Sequence, residues 1–255
     1  MTVPSDTELY ARGVETLLAS WDEYARGASG AAVLRHPGVA AAVFPRAPER
    51  TVYNNALLER GLTGVERAGA LDAMENDYQT ASVARFAAWV HESDGAMRAD
   101  LERRGYLLDE STRAMGMTLD RIRVPPPLLD LAPPDWPEYL RLVGVPPGFL
   151  ARADPAAFHI LIARLDGENA ATGAAFYLGD DCGIYNVGTI PHARRRGLGT
   201  ALTAALLYDA AARGCRTASL QSTPMAERVY AAVGFRDLGR FLEYAPPVRA
   251  SRVNR

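Results

Sequence analysis

Lysine is missing from this chain of 255 residues, and all 28 of its Lys and Arg residues are arginine. That absence removes whole chemistries: a Walker-type phosphate loop, a Schiff-base enzyme and a protein kinase each need a lysine. Cysteine is scarce as well. Cys182 and Cys215 are the only two, so a disulfide framework is excluded and a cytoplasmic location is expected. The first residues, MTVPSDTELYARGVETLL, lack the basic-then-apolar order of a secretory signal. No apolar run reaches the length of a membrane span, so no membrane partner is expected. The formal net charge is -2, which gives no basic field for nucleic acid. The four histidines, His36, His91, His159 and His192, are scattered without metal-site spacing, and no metal is expected.

What the chain does have is 48% hydrophobic residues, enough for one large core or two smaller ones. Prolines cluster from Val124-Pro125-Pro126-Pro127 to Ala132-Pro133-Pro134-Asp135-Trp136-Pro137. They remove N–H donors and disfavour helix before them, which marks a boundary. The expected domains are 1–124, a linker over 125–137, a second domain over 138–246 and a tail over 247–255.

In the second half a helix is expected over Asp135–Val143, and a strand pair over Phe158–Arg164 and Ala171–Leu178. A third strand follows over Cys182–Thr189. Gly197–Arg213 carries Leu198, Leu202, Ala205 and Leu206 at helical spacing, and Gly214 is placed as its C-terminal cap. Thr217–Gln221 is a strand, Pro224 opens a helix that Thr223 can cap, Gly234 ends it, and Phe235–Tyr244 is the last strand.

The first half echoes this order: Thr51–Leu58 as strand, Gly64–Tyr78 as helix, Ser82–Val90 as strand, Ala96–Arg104 as helix, Gly105-Tyr106, and Ala114–Ile122 as strand. Tyr53-Asn54 takes the place of Tyr185-Asn186, and Gly105-Tyr106 that of Gly234-Phe235. An internal repeat is therefore expected. The first copy has only Leu58-Glu59-Arg60-Gly61-Leu62 where the second has Pro191 to Gly199, and Leu101 stands where Tyr230 stands. Arg35-x-x-Gly38-x-Ala40 fits a loose form of the same loop, but Pro45 and Pro48 follow too soon for a substantial helix.

The chemistry concentrates in Ile184–Leu202, IYNVGTIPHARRRGLGTAL: a strand, a basic loop and a helix opened by glycines. Arg194-x-x-Gly197-x-Gly199 suits a pyrophosphate. A helix start leaves N–H groups unpaired and is electropositive, and glycines let a phosphate approach the backbone. The dinucleotide fingerprint does not fit, because Leu202 stands where its third glycine belongs. Downstream comes Ala226-x-x-x-Tyr230-x-x-x-Gly234-Phe235.

These residues resemble the GNAT acetyltransferase superfamily, most strongly over Phe158–Tyr244 and more weakly over Thr51–Ile122. The resemblance implies an α/β (α+β) chain of two tandem GNAT-like domains, the first degenerate. Each would be a mixed, mostly antiparallel sheet flanked by helices. It implies acetyl-CoA as co-substrate, its pantetheine along Val187, Gly188 and Thr189. The pyrophosphate would lie on Arg194, Arg195, Arg196, Gly197, Leu198, Gly199 and Thr200, and the arginines could reach the 3′-phosphate. Tyr230 would be the general acid for the leaving thiolate, with an oxyanion held by a backbone N–H near Val187. Many relatives carry asparagine where this chain has Thr223, so that cofactor contact would be lost or replaced.

The general base stays open among Glu168, Asp180 and Asp181 on expected turns, and Glu75 or Asp77 from the first domain. Tyr185 and Asn186 lie nearer the expected cleft but are poor bases, and His192 reads as a loop residue. The implied activity is N-acetylation of a primary amine on a small molecule or peptide, the first domain shaping the acceptor pocket. The alternatives are a non-catalytic acyl-CoA-binding or regulatory protein, and an O-acetyl or longer-acyl transferase. A monomer or a homodimer fits equally.

Overall fold

The computed structural model describes residues 3–46, 53–146 and 148–247. In chain order its elements begin with α1 (Asp6–Gly27), β1 (Ala32–His36), β2 (Val39–Val43), β3 (Asn55–Leu58), α2 (Gly64–Thr80), β4 (Ala87–His91), α3 (Gly95–Arg103) and β5 (Leu107–Thr118). There follow β6 (Leu131–Ala132), α4 (Trp136–Leu142), β7 (Phe158–Leu165), β8 (Glu168–Leu178), β9 (Asp181–Thr189), α5 (Leu198–Ala212), β10 (Thr217–Ser222), α6 (Glu227–Val233) and β11 (Arg236–Ala245). Thr51, Val52 and Pro48, and residues 248–255 of the expected tail, lie outside the described residues.

The chain divides into two compact units, residues 1–29 with 112–239, and residues 30–111 with 240–255. These differ from the contiguous domains expected from the proline clusters, because strands are exchanged. β5 follows the first copy's second helix in sequence, yet its Arg113–Thr118 segment pairs antiparallel with β10 in the first unit. β11 follows the second copy's helix, yet its Phe241–Tyr244 segment pairs with β4 in the second unit. The proline-rich stretch is built into the first unit: β6 pairs with β7, and Tyr208 Oη donates to the Val124 carbonyl at 2.8 Å.

Within each unit the strand pairing is mixed and mostly antiparallel. In the first, β6–β7, β7–β8, β8–β9 and β10–β5 are antiparallel and β9–β10 is parallel. In the second, β1–β2, β2–β3 and β4–β11 are antiparallel and β3–β4 is parallel. The parallel pair is joined in each case through a helix, α5 or α2, as a parallel connection requires. The expected repeat thus appears in the pairing pattern, and in one detail of helix closure. The Tyr106 N–H donates to Leu101 O at 3.1 Å and the Phe235 N–H to Tyr230 O at 3.1 Å, each after a left-handed glycine, Gly105 or Gly234. Leu101 and Tyr230 occupy matching buried positions.

Some elements differ from expectation. α1 was not anticipated, although Ser5 and Glu8 form a reciprocal capping box at its start and that pattern is a helix signal. It packs on β9 and β10, with Gly13 where a Cβ would meet Ser219 Cβ at 2.9 Å. Pro37-Gly38, inside Arg35-x-x-Gly38-x-Ala40, is the turn between β1 and β2. α6 starts at Glu227, so Pro224 lies in the preceding turn and Ala226, not Thr223, is its N-cap. The Ala226 N–H donates to Thr223 O instead.

Asp181, expected on a turn, is buried at 3% exposure. Its carboxylate accepts from Thr16 Oγ1 at 2.7 Å, Thr217 Oγ1 at 2.6 Å and Ser219 Oγ at 2.9 Å. α1 is tied to two sheet strands through this one group, with Arg12 on Asp180 at 2.6 Å beside it. Asp181→Ala orphans three hydroxyls at once, and the expected cost is about 3 kcal/mol. Urea unfolding followed by circular dichroism measures it.

Candidate functional site

β9 carries the geometry of the site. Its parallel pairing with β10 covers only Asp181–Gly183 against Thr217–Ser219, although both strands run on, β9 as far as Thr189. The β10-facing edge of Val187, Gly188 and Thr189 is therefore without that partner. Within the same stretch β9 bulges against β8. Thr172 pairs with Gly188 and Ala174 with Tyr185, so Asn186 and Val187 together stand opposite Gly173. Asn186 takes the left-handed conformation, φ 53°, as bulges ask of one residue. Gly183 leaves room for the Tyr185 ring, which folds back over it. Burial pushes the Tyr185 phenol up, out of any range for a base.

The strand leads through Pro191–Ala193 into the arginine loop and α5. Gly197 is the N-cap of α5, at φ 82°, with no side-chain cap. The N–H groups of Arg195 to Thr200 donate to no backbone carbonyl of the described residues. A Cβ on Gly197 would meet nothing within 4 Å, and one on Gly199 only Val187 Cγ1 at 3.9 Å. The strand edge leads directly into the helix start in sequence, and the Cβ positions at Gly197 and Gly199 are open. This fits an anionic group in the way a helix N-terminus does.

The three arginines are not equivalent. Arg194 Nε donates to Thr189 O at 3.1 Å and so braces the loop. Arg196 pairs with Asp166 at 3.1 Å. Arg195, at φ 62°, has no ion pair among the described residues.

The matching helix start in the second unit is capped by side chains. α2 begins with a capping box in which Thr63 Oγ1 accepts from the Glu66 N–H and the Glu66 carboxylate takes the Thr63 N–H at 2.7 Å. That helix start already holds a carboxylate of its own, as the loss of the loop in the first copy led one to expect. The other echo, Asn54 for Asn186, also diverges. Asn54 is buried and holds the Phe44 backbone, accepting from its N–H at 2.7 Å.

Tyr230 faces inward from α6 at 8% exposure, edge-on to Phe235 with ring centroids 6.0 Å apart. It joins one apolar cluster with Leu198, Leu202 and Leu220, against which Val187 packs. Burial pushes its phenol up to about 12, so the proton stays on at neutral pH. Its hydroxyl bonds to no described residue.

None of the carboxylates weighed as a general base stands unengaged. Asp181 is sequestered by three hydroxyls, and Asp180 is held low by Arg12. Glu168 pairs with His192 at 2.9 Å, Glu75 with Arg104 at 3.1 Å and Asp77 with His36 at 2.8 Å. Among the described residues no cluster of His, Cys, Asp and Glu could hold a metal ion, and no helix is long and apolar enough to cross a membrane. The residues that sequence reasoning missed are Tyr24 and Tyr139, whose hydroxyls accept from Asn186 Nδ2 at 3.2 and 2.8 Å. No local pattern signals a contact spanning that much sequence.

Residues 126–235 match the family model described as the acetyltransferase (GNAT) family. Among curated protein sequences, none matches this one. Solved structures similar to the chain include a GCN5-related N-acetyltransferase from Kribbella flavida, at 18% identity and TM-score 0.67, covering 92% of this chain and 96% of that one. Another is a GCN5-related N-acetyltransferase from Sphaerobacter thermophilus, at 16% identity and TM-score 0.60, covering 95% and 93%. A third is a tandem GNAT protein from the clavulanic acid biosynthesis pathway, at 15% identity and TM-score 0.58, covering 96% and 97%. The chain carries the GNAT acetyltransferase fold, matched by the family in sequence over residues 126–235 and by a tandem GNAT protein in structure over most of its length.

Proposed function

We propose that this chain moves an acetyl group from acetyl-CoA to a primary amine on a small molecule or peptide. The observation that carries the reading is the open start of α5, with its uncapped N–H groups, clear Gly197 face and adjoining strand edge. The matching helix in the other unit instead carries a side-chain capping box, Thr63 with Glu66. GNAT enzymes bind acetyl-CoA, and the residues here fit its pyrophosphate: the N–H groups of Arg195 to Thr200 donate to no backbone carbonyl of the described residues, and the Cβ positions at Gly197 and Gly199 are open. Val187, Gly188 and Thr189 offer the strand edge to the pantetheine amides.

In the reaction the amine nitrogen attacks the thioester carbonyl carbon. The C–N bond forms, and the carbonyl π pair moves onto oxygen, where the Val187 N–H stabilises it. The oxyanion pair then re-forms the C=O bond as the C–S bond breaks, the C–S electron pair leaves on sulfur, and Tyr230 gives that thiolate its proton. The surplus proton of the attacking amine passes to water. The depleted phenol is reprotonated from solvent, favoured by its high pKa.

Arg195 is the arginine available for the 3′-phosphate. Arg195→Ala is expected to weaken CoA binding by about 10-fold, the worth of one hydrogen bond to a charged group, and to leave dephospho-CoA binding unchanged. Calorimetry with the two ligands decides it. The reading as a whole is tested by thiol release from acetyl-CoA over a panel of amines. Saturable binding with no acetylation of any amine would favour the acyl-CoA-binding alternative.

A further inference from the structure

We infer that Asn186 is a positioning residue for acyl transfer, clamped by Tyr139 and Tyr24 so that the β9 bulge aims the Val187 amide at the thioester carbonyl. The inference rests on the acetyl-transfer reading and adds to it what holds the strand in place.

A left-handed non-glycine residue in a bulge is a strained device that relaxes unless its surroundings fix it. Asn tolerates that conformation better than most residues, and a glycine would suit the backbone equally well. What asparagine adds here is its side-chain amide. Nδ2 donates to Tyr139 Oη at 2.8 Å and to Tyr24 Oη at 3.2 Å, so both amide protons are used.

The two acceptors are not loose surface tyrosines. Tyr139 in α4 is 1% exposed and stacks on Trp136 with centroids 5.1 Å apart. Trp136 stacks on Phe158 at 5.8 Å, and Phe158 stacks on Tyr24 of α1 at 4.7 Å. Trp136 is itself pinned by its indole N–H, which donates to Leu150 O at 3.3 Å. Four rings thus form a continuous stack between the two hydroxyls, and the Asn186 amide closes it into a loop.

On the α5 side the bulge is equally confined. A Cβ on Gly173, opposite, would meet Val187 Cγ2 at 3.3 Å and Leu206 Cδ1 at 3.1 Å. Val187 is therefore held by side chains below while Asn186 is held by hydroxyls above. An oxyanion donor works only when preset at hydrogen-bond distance from the developing charge, and a misplacement of about 1 Å costs on the order of 100-fold in rate. This double hold is what sets the Val187 amide.

The test uses Asn186→Gly, which keeps the left-handed backbone and removes both bonds, with Tyr139→Phe and Tyr24→Phe as single-atom deletions should the glycine variant fold poorly. The expected result for Asn186→Gly is a fall in kcat of about 10- to 100-fold, with CoA affinity unchanged. Adding Tyr139→Phe to Asn186→Gly should cost nothing more. Infrared difference spectra of bound acetyl-CoA carrying a ¹³C-labelled carbonyl supply a readout independent of turnover. The wild-type protein should shift the thioester band to lower wavenumber, and each variant should move it back toward its solution position. An unmoved band in all three variants, equal losses in kcat and CoA affinity, or no shift in the wild type each overturns the inference. A wild-type shift that the variants abolish, in a protein that acetylates no amine, would support the clamp and defeat the acetyl-transfer reading.

Discussion

Tyr230→Phe should lower kcat for acetyl transfer by about 100-fold or more, the usual worth of a positioned general acid, while acetyl-CoA affinity holds. The ring packs against Phe235 and fills the same volume in either residue, so the apolar contacts survive. The hydroxyl bonds to no described residue, so its loss should leave the melting temperature unchanged. This separates the two roles open to a buried tyrosine: a packing role moves stability, and an acid moves kcat. The pH profile adds a second test. Burial disfavours the phenolate and pushes the phenol up to about 12. The acid form is therefore present throughout the working range and is lost only as pH rises toward that value. A basic limb in kcat near neutrality would belong to another group, and it should persist in the Phe variant. Steady-state kinetics of both proteins across pH measures this.

Gly197→Val should weaken acetyl-CoA binding by about 10- to 100-fold, the worth of one or two hydrogen bonds to a charged group. Its φ of 82° asks a side chain to adopt the left-handed region, which costs about 1 kcal/mol. That cost falls on stability. The effect on binding has another origin: the side chain would occupy space at the α5 start where no protein atom now stands. Gly197→Ala imposes the same backbone strain with less bulk, so it should match the stability loss and show a smaller binding loss. Calorimetry and thermal melts on the two variants separate these effects. Equal affinity in both variants and the wild type would remove Gly197 from the phosphate site.

Much of this was legible in the sequence because the signals are local. The strand, the arginine loop and α5 follow from a β-rich run, a glycine pair and helical periodicity within one short segment. The echo of Gly105-Tyr106 and Gly234-Phe235 shows because helix closure by glycine is a local geometry. What escaped depends on distant partners. Asp181 sits beside a turn with Asp180 and reads as solvated, and only α1 and β10 bring the hydroxyls that justify burying it. The exchange of β5 and β11 leaves no mark on either strand's own residues, so the domain limits taken from the prolines missed it. α1 has a local signal in the Ser5 and Glu8 capping box, which the sequence reading passes over. The asparagine clamp could not be read at all, since Tyr24, Tyr139 and Asn186 meet only after three elements have packed.

The most direct test of the central claim is a calorimetric titration of the purified protein with acetyl-CoA, with NADH as control. The open α5 start and the self-capped α2 start predict saturable binding of one acetyl-CoA per chain and no binding of NADH. A folded protein that takes up no acetyl-CoA, or takes up two equivalents, would contradict the assignment of a single phosphate site at Arg194 to Thr200.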